Sequence, residues 1–263
     1  MVRLAKQSDP EAALTALCSA IAQDLSQLAV LHDRELEAAC IVALQQADFP
    51  AGLGLCLQSD LACEAASVLH TALVDCGQDP GEAALDALAG DYADIYLNHT
   101  LQASPFESVW LDEDGLAMQQ PMFQVRAWYR RYDIAAENWR RRADDYLGYQ
   151  LAFLAHLFTS CAKAPDDEAA VNVLRDSAAF MDEHLLRWLS GFAKRVAHRC
   201  ATPFYAGLAM LTAAYAEELR ELLVEILGEP RPDAAVIEQR MKPGVSVAVE
   251  LPAPFVPGAA PSW

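Results

Sequence analysis

The sequence lacks nearly all the short motifs that mark enzymes and metalloproteins. No histidine is preceded by a glutamate three positions earlier, so the Glu-x-x-His pair of di-iron helical bundles is missing. The chain has no His-Glu-x-x-His segment and no two cysteines at Cys-x-x-Cys spacing, the usual zinc patterns. It also has no glycine-rich loop of the kind that cradles phosphates. We therefore expect a protein that is not an enzyme and that uses no metal or cofactor.

Glycine, positive charge and long apolar runs are also scarce. The chain has 12 glycines in 263 residues, and 19 Lys and Arg against 37 Asp and Glu, for a net charge of −18. Few glycines among many Ala, Leu and Glu favour helix. The negative charge argues against a general nucleic-acid or anionic-membrane binder, because like charges repel. The nearly apolar runs at 146–158 and 204–216 are shorter than the roughly 20 residues needed to cross a bilayer.

The cysteines and the N-terminal residues bear on the cellular compartment. The seven cysteines are odd in number, scattered, and mostly set among apolar neighbours, as free thiols in a reducing compartment are. The first residues, MVRLAKQSDPEAAL, contain no apolar run before their first acidic residue and so do not read as a secretory signal. Both observations predict a cytoplasmic protein.

Apolar periodicity predicts helices over most of the chain and a change of character after Gly228. The tail is rich in proline, and its VSVAVEL at 245–251 alternates like a short strand, so it is either flexible or laid extended over a bundle. We predict an all-α, single-domain helical bundle over 1–228 with an irregular Pro-rich C-terminal extension over 229–263. The predicted helices are 10–31, one capped by Asp33, then 59–76, 80–97, 119–133, 143–163, 166–198 with a bend near 188–191, and 203–227, with a loop at 98–117.

Four segments carry a family resemblance. Residues 104–109 read SPFESV and residues 91–97 read DYADIYL. Residues 143–153 read ADDYLGYQLAF, and residues 180–192 place Phe, His-Leu, Trp and Phe at helical spacing. In this order and spacing, over roughly 85–220, the chain resembles the TorD/DmsD (NarJ-like) family of cytoplasmic chaperones, which mature molybdenum-containing redox enzymes. Two positions depart from the family pattern: Tyr146 stands where the motif has His, and Gln150 where it has Glu.

The resemblance implies a peptide-binding chaperone for an apo-molybdoenzyme catalytic subunit. Clients of the family carry a twin-arginine export signal, basic and then apolar, and such a peptide needs an apolar groove between helices with acid at one end. We expect the protein to bind no nucleic acid, not to insert into membranes, and to be a monomer or homodimer. The implied peptide-binding residues are Asp144 and Asp145 for the arginines, with Tyr92, Tyr96, Tyr146, Tyr149, Gln150, Phe153, His184 and Trp188.

Other interpretations of the same residues remain open. Asp144 and Asp145 could simply cap a helix. Each of the aromatic residues, and His184, could be an ordinary core residue. At the level of the whole chain, the alternatives are a helical-bundle enzyme or carrier that binds a small cofactor or lipid-like ligand, and a chaperone of the same fold for a client that is not exported.

Overall fold

The computed structural model describes residues 10–136 and 142–242, and its regular secondary structure in these ranges is helical. No strand occurs in either range, which confirms the predicted all-α class. Two π-helical turns extend or join helices: Ala93–Leu97 follows α4, and Met181–Leu185 connects α8 to α9. The helices are α1 Pro10–Asp33, α2 Ala38–Gln46, α3 Asp60–Cys76, α4 Glu82–Tyr92, α5 Ser108–Leu111, α6 Gln120–Arg131, α7 Leu147–Ala162, α8 Asp167–Phe180, α9 Leu186–Arg199, α10 Pro203–Leu227 and α11 Ala234–Met241.

Helices α1 and α7 form a long antiparallel pair at the centre of the core. Cys18, in the first half of α1, lies against Cys161 near the end of α7, while His32 near the end of α1 lies against Tyr146 just before α7. Helix α1 is long and apolar enough to cross a membrane by length and composition alone. The core helix of a bundle passes the same test, and Ile21 of α1 is buried as in such a helix.

Helix α10 is the second organising element of the bundle. It packs against α3 on one side and α9 on the other, and its residues from Phe204 to Leu223 are largely buried. Gly207 allows the close approach to α3, since a Cβ there would lie 2.8 Å from Leu69 Cγ. Gly228 ends the helix in the left-handed conformation (φ 66°), which glycine adopts without steric cost. The α10 core therefore depends on a small residue at its contact with α3.

One predicted helix boundary was wrong, and one predicted helix is divided. Asp33 does not cap a second helix but is the last residue of α1, and α2 begins only at Ala38. The predicted helix 166–198 is divided by the π-helical turn Met181–Leu185, and its bend near 188–191 stays a prediction. Within the turn, Asp182 pairs with Arg220 and His184 lies beside Glu107, both inside the bundle. Periodicity alone gives no signal for these buried polar contacts.

The chain separates into two compact units, one ending at Arg231 and the other beginning at Pro232. The second unit contains α11, a helix within the 229–263 segment that was expected to be irregular. The prolines of this segment stand on either side of the stretch AAVIEQRM, which itself has none. Most of its residues favour helix, so a helix forms between the prolines. The strand-like 245–251 lies outside the described residues.

Candidate functional site

The loop before α5 lies beside the segment that leads into α7. Phe106 and Tyr146 form an isolated antiparallel bridge. The Leu147 N–H donates to the Pro105 carbonyl at 2.8 Å, and the Glu107 N–H donates to the Asp145 carbonyl at 3.2 Å. The two motif segments at 104–109 and 143–153 are therefore hydrogen-bonded neighbours, although some 40 residues separate them along the chain.

Asp145 is fully buried at this junction. Its Oδ2 accepts hydrogen bonds from the Ser108 N–H at 2.8 Å and from the Ser108 hydroxyl at 2.5 Å. Burial raises the pKa of the Asp145 carboxyl, and the two bonds from Ser108 oppose the rise. Its Oδ1 has no hydrogen-bond partner among the described residues. Asp145 therefore holds the start of α5 against the segment that leads into α7 through buried hydrogen bonds.

Glu107 connects the same loop to two further helical segments. Its Oε1 lies 2.9 Å from His184 Nδ1 and its Oε2 accepts from Gln150 Nε2 at 2.7 Å, with all three side chains fully buried. An ionised carboxylate can only accept hydrogen bonds, so an ionised Glu107 requires the hydrogen to be on His184 Nδ1. The loop, α7 and the π-helical turn before α9 are thus joined by one buried polar cluster.

A cleft of about 690 Å³ opens beside this cluster, where α1 ends and α7 begins. Its α7 wall is one helix face, made by residues at i, i+3, i+4 and i+7. Ala152 and His156 on that face are exposed, whereas Phe153 is buried. The described residues that line the cleft are Asp33, Arg34, Tyr129, Ile134, Ala135, Ala136, Arg142, Tyr149, Ala152, Phe153 and His156.

An ion pair crosses the mouth of the cleft. Arg142 pairs with Asp33, and its guanidinium lies over the Tyr146 ring, 4.3 Å from the ring centroid. The Tyr92 hydroxyl donates to the backbone carbonyl of Asp33 at 2.6 Å, and the Tyr146 hydroxyl donates to the carbonyl of His32. Both tyrosines therefore hold the end of α1 in place, and the Asp33 side chain faces the cleft while remaining about one-third exposed.

His32, a fully buried residue, stabilises the end of α1 from the core side. Its Nδ1 lies 2.6 Å from the Tyr96 hydroxyl and its Nε2 lies 2.9 Å from the Thr212 hydroxyl of α10. Complete burial lowers the pKa of His32 to about 3. The imidazole is therefore neutral at physiological pH and acts as a hydrogen-bonding bridge between α1 and α10.

A smaller hollow of about 250 Å³ adjoins the cleft and shares Tyr129 and the 134–136 segment with it. Asp144 lines this hollow, where its Oδ2 accepts from Arg126 Nε at 2.8 Å and from Arg126 Nη2 at 2.7 Å. Each of the two openings therefore contains a carboxylate already paired with an arginine of the same chain.

The structure separates the ten predicted residues into three groups. Tyr149 and Phe153 line the cleft, and Asp144 lines the hollow beside it. Tyr92 and Tyr146 support the mouth of the cleft through their hydroxyls. The other five are buried in the core and line neither opening: Tyr96, Asp145, Gln150, His184 and Trp188.

Several cleft residues were missed by the sequence analysis. Ala152 and His156 could have been found, since they share a helix face with Tyr149 and Phe153. Asp33 was interpreted only as a helix cap, and its partner Arg142 was not among the predicted site residues. Their meeting depends on the antiparallel packing of α1 and α7, for which no local pattern gives a signal.

Comparisons with known proteins identify the family. Residues 58–194, about half of the chain, match the family described as the nitrate reductase delta subunit. The chain is 31% identical over 153 residues to the chaperone protein TorD of Vibrio cholerae serotype O1, covering 58% of this chain and 69% of that relative. It is 27% identical over 191 residues to the chaperone protein TorD of Shewanella loihica, covering 70% and 84% of the two chains. The chain therefore belongs to the TorD/DmsD (NarJ-like) family of molybdoenzyme-maturation chaperones, which is not a family of enzymes.

Proposed function

We propose that this chaperone binds the twin-arginine signal peptide of a molybdenum-containing oxidoreductase in the cleft between α1 and α7. It holds the apo-enzyme in the cytoplasm while the molybdenum cofactor is inserted, and releases it for export. The observation that carries the proposal is a cleft with an aromatic and aliphatic wall and a carboxylate at its mouth. A basic segment followed by an apolar one is complementary to that arrangement.

The basic part of the peptide exchanges partners with arginines of the chaperone. Asp33 is paired with Arg142, and Asp144 with Arg126, so neither carboxylate is left without a counter-charge when no peptide is bound. A peptide guanidinium can replace either arginine and keep the charge-assisted hydrogen bonds. At Asp33 the exchange costs little desolvation because that pair is partly solvated, whereas at the buried Asp144 the peptide guanidinium must replace both hydrogen bonds of Arg126. The net charge of −18 attracts the basic peptide over a longer distance.

The apolar part of the peptide packs along α7. Tyr149, Ala152 and Phe153 present a continuous surface, and Ile134 stands opposite in the same cleft. A helical or extended apolar segment buries its side chains against this wall. Burial of apolar area contributes roughly 25 cal/mol per Å² before the cost of ordering the peptide.

The proposal is tested by blocking the cleft without disturbing the core. Ala152→Arg places a long charged side chain at an exposed position of the cleft wall. Ala87→Arg makes the same change at an exposed position of α4 that lines none of the cavities described here. Calorimetric titration with the client's signal peptide should show at least a tenfold loss of affinity for Ala152→Arg and wild-type affinity for Ala87→Arg. Equal affinities for the two variants would remove the cleft from the proposal.

A peptide with both arginines replaced by glutamine separates the exported client from a non-exported one. Loss of charge-assisted bonds should weaken binding by about 1.5–3 kcal/mol. Wild-type binding should also weaken as salt is added, because the partners carry opposite charge. Undiminished binding of the glutamine peptide, without salt dependence, would indicate instead a client recognised through an N-terminus that lacks twin arginines.

A further inference from the structure

The cysteine pair at the far end of the α1–α7 contact has no part in the cleft. The Cys18 thiol donates to Cys161 Sγ with the two sulfurs 3.1 Å apart, and both side chains are buried. The other five cysteines of the chain are positions 40, 56, 63, 76 and 200, of which 56 and 63 are exposed. The two cysteines are 143 residues apart in the chain, so their contact joins α1 to α7.

We infer that Cys18 and Cys161 are a redox-active thiol pair that closes to a disulfide when the protein meets a peroxide, fastening α1 to α7. A disulfide requires the sulfurs to approach to about 2.05 Å, so each needs to move by only about half an ångström from its present position. We expect rotation about the side-chain torsions of the two cysteines to supply that movement. The inference does not depend on the proposed peptide-binding function.

The chemistry needs one molecule of hydrogen peroxide. The Cys161 thiolate attacks one peroxide oxygen, the O–O bond breaks, and the departing hydroxide takes up a proton to leave as water. The Cys161 sulfur is then a sulfenic acid. The Cys18 sulfur, on losing its proton, attacks the Cys161 sulfur, the S–O bond breaks, and a second water leaves. Two thiols and one peroxide thus become one disulfide and two waters.

The environment assigns the two sulfurs their roles. The hydrogen bond donated by Cys18 lowers the pKa of the Cys161 thiol, and the same hydrogen bond, together with burial, raises the pKa of the Cys18 thiol. Cys161 is also the more accessible of the two, at 5% exposure against 0% for Cys18. Cys161 is therefore the thiol that meets the oxidant, and Cys18 is the one that resolves the sulfenic acid.

The position of the pair determines what the disulfide would change. Cys161 lies beyond the cleft wall on α7, roughly 7.5 Å along the helix from His156 and roughly 18 Å from Tyr149 at a rise of 1.5 Å per residue. The new bond would close a long loop between α1 and α7, which restricts the unfolded chain. It should raise the melting temperature and leave the cleft as it is.

Peptide mapping of the full-length chain tests the inference. The folded protein is treated with hydrogen peroxide, the remaining thiols are alkylated in denaturant, and the digest is read by mass spectrometry. The expected result is a peptide containing Cys18 joined to one containing Cys161, with the intact mass lower by two hydrogens. The melting temperature should rise by several degrees and return to the reduced value after dithiothreitol.

Two matched variants guard against other disulfides. Cys56→Ser with Cys63→Ser removes the exposed thiols and should leave the cross-link and the rise in melting temperature unchanged. Cys161→Ala should abolish both. The inference is overturned if peroxide modifies only the exposed thiols, or if the Cys18–Cys161 cross-link forms only after the chain is unfolded in urea. Signal-peptide affinity should differ by less than about twofold between the oxidised and reduced chains, since neither cysteine lines the cleft.

Discussion

Glu107 Oε1 lies 2.9 Å from His184 Nδ1, and neither side chain has any exposed surface. Gln150 Nε2 donates to the other carboxylate oxygen at 2.7 Å. Glu107 thus links the loop before α5 to both α7 and the π-helical turn before α9. The position of the loop depends on it, because buried polar groups are stable only when their hydrogen bonds are made.

Glu107→Ala should lower the free energy of unfolding by about 1–3 kcal/mol, because it leaves His184 Nδ1 buried without its partner and Gln150 Nε2 with only the Asp145 carbonyl. Urea unfolding of the purified variant measures the loss. Glu113→Ala, an exposed glutamate in the segment after α5, is the matched control and should stay within about 0.5 kcal/mol of the wild type. Equal stability of the two variants would mean that the buried cluster contributes nothing to the fold.

The free energy of unfolding of Asp145→Asn should increase relative to that of the wild type as pH rises. The pKa of Asp145 is raised by burial, so the folded chain holds this proton more tightly than the unfolded chain. Its contribution to stability is fully present below the ordinary aspartate pKa and is lost as pH rises through the raised value. Asparagine keeps an oxygen for the Ser108 donors and does not titrate.

Urea unfolding of wild type and Asp145→Asn between about pH 4 and pH 7 checks this expectation. The difference in unfolding free energy should move in favour of the variant across that range. Glu113→Gln, which changes the same charge at an exposed position, should show a much flatter difference. A flat difference for Asp145→Asn itself would contradict the raised pKa.

His32 should remain neutral well below the ordinary histidine range. Its pKa is lowered to about 3, so the folded chain binds fewer protons than the unfolded chain. The stability that this provides is complete above pH 6.5, the ordinary value, and is lost as pH falls from there toward about 3. In an NMR titration the His32 ring signals should not shift down to about pH 5, with the exposed His70 as the internal comparison.

The variant His32→Gln extends the same test to stability. Glutamine can contact the Tyr96 and Thr212 hydroxyls but cannot take up a proton in this range. The variant should therefore lose less stability than the wild type on acidification from pH 6.5. An unchanged acid slope would show that the pH dependence comes from other groups.

Arg142→Gln should strengthen binding of a twin-arginine peptide by up to roughly fivefold, a gain on the scale of one partly exposed ion pair. The change removes the arginine that occupies Asp33 and leaves that carboxylate for the peptide. Arg131→Gln is the control, since it removes an equal charge from an exposed pair with Asp176 that lies outside the cleft lining. Calorimetric titration of both variants gives the comparison. Weaker binding by Arg142→Gln than by Arg131→Gln would contradict the exchange of partners.

The helices were largely predictable, because apolar spacing directly reports which face of a helix is buried. The face of α7 that carries Tyr149 and Phe153 follows from that spacing, as does most of α10. The π-helical turn at Met181–Leu185 was not predictable in the same way. It carries the pairing of Asp182 with Arg220 and of His184 with Glu107, which are contacts between distant parts of the chain.

The candidate site was predictable only in part, because sequence does not distinguish a polar residue that faces a ligand from one that faces the core. Asp144 and Asp145 are adjacent and chemically identical. One lines a hollow and pairs with Arg126, whereas the other is sealed against Ser108. The difference is set by a loop that enters the site from 37 residues earlier in the chain.

Helix α1 lies before residue 58, where the match to the family begins, yet it provides Asp33 to the cleft, with Arg34 just after its end. The opposite wall, on α7, falls inside the matched segment. The two walls therefore come from different parts of the chain, one outside the matched segment and one inside it. A chimera that received the first helix of another TorD chaperone would keep the α7 wall and acquire a foreign mouth, so a change of client preference in such a chimera would assign selectivity to the N-terminal helix alone.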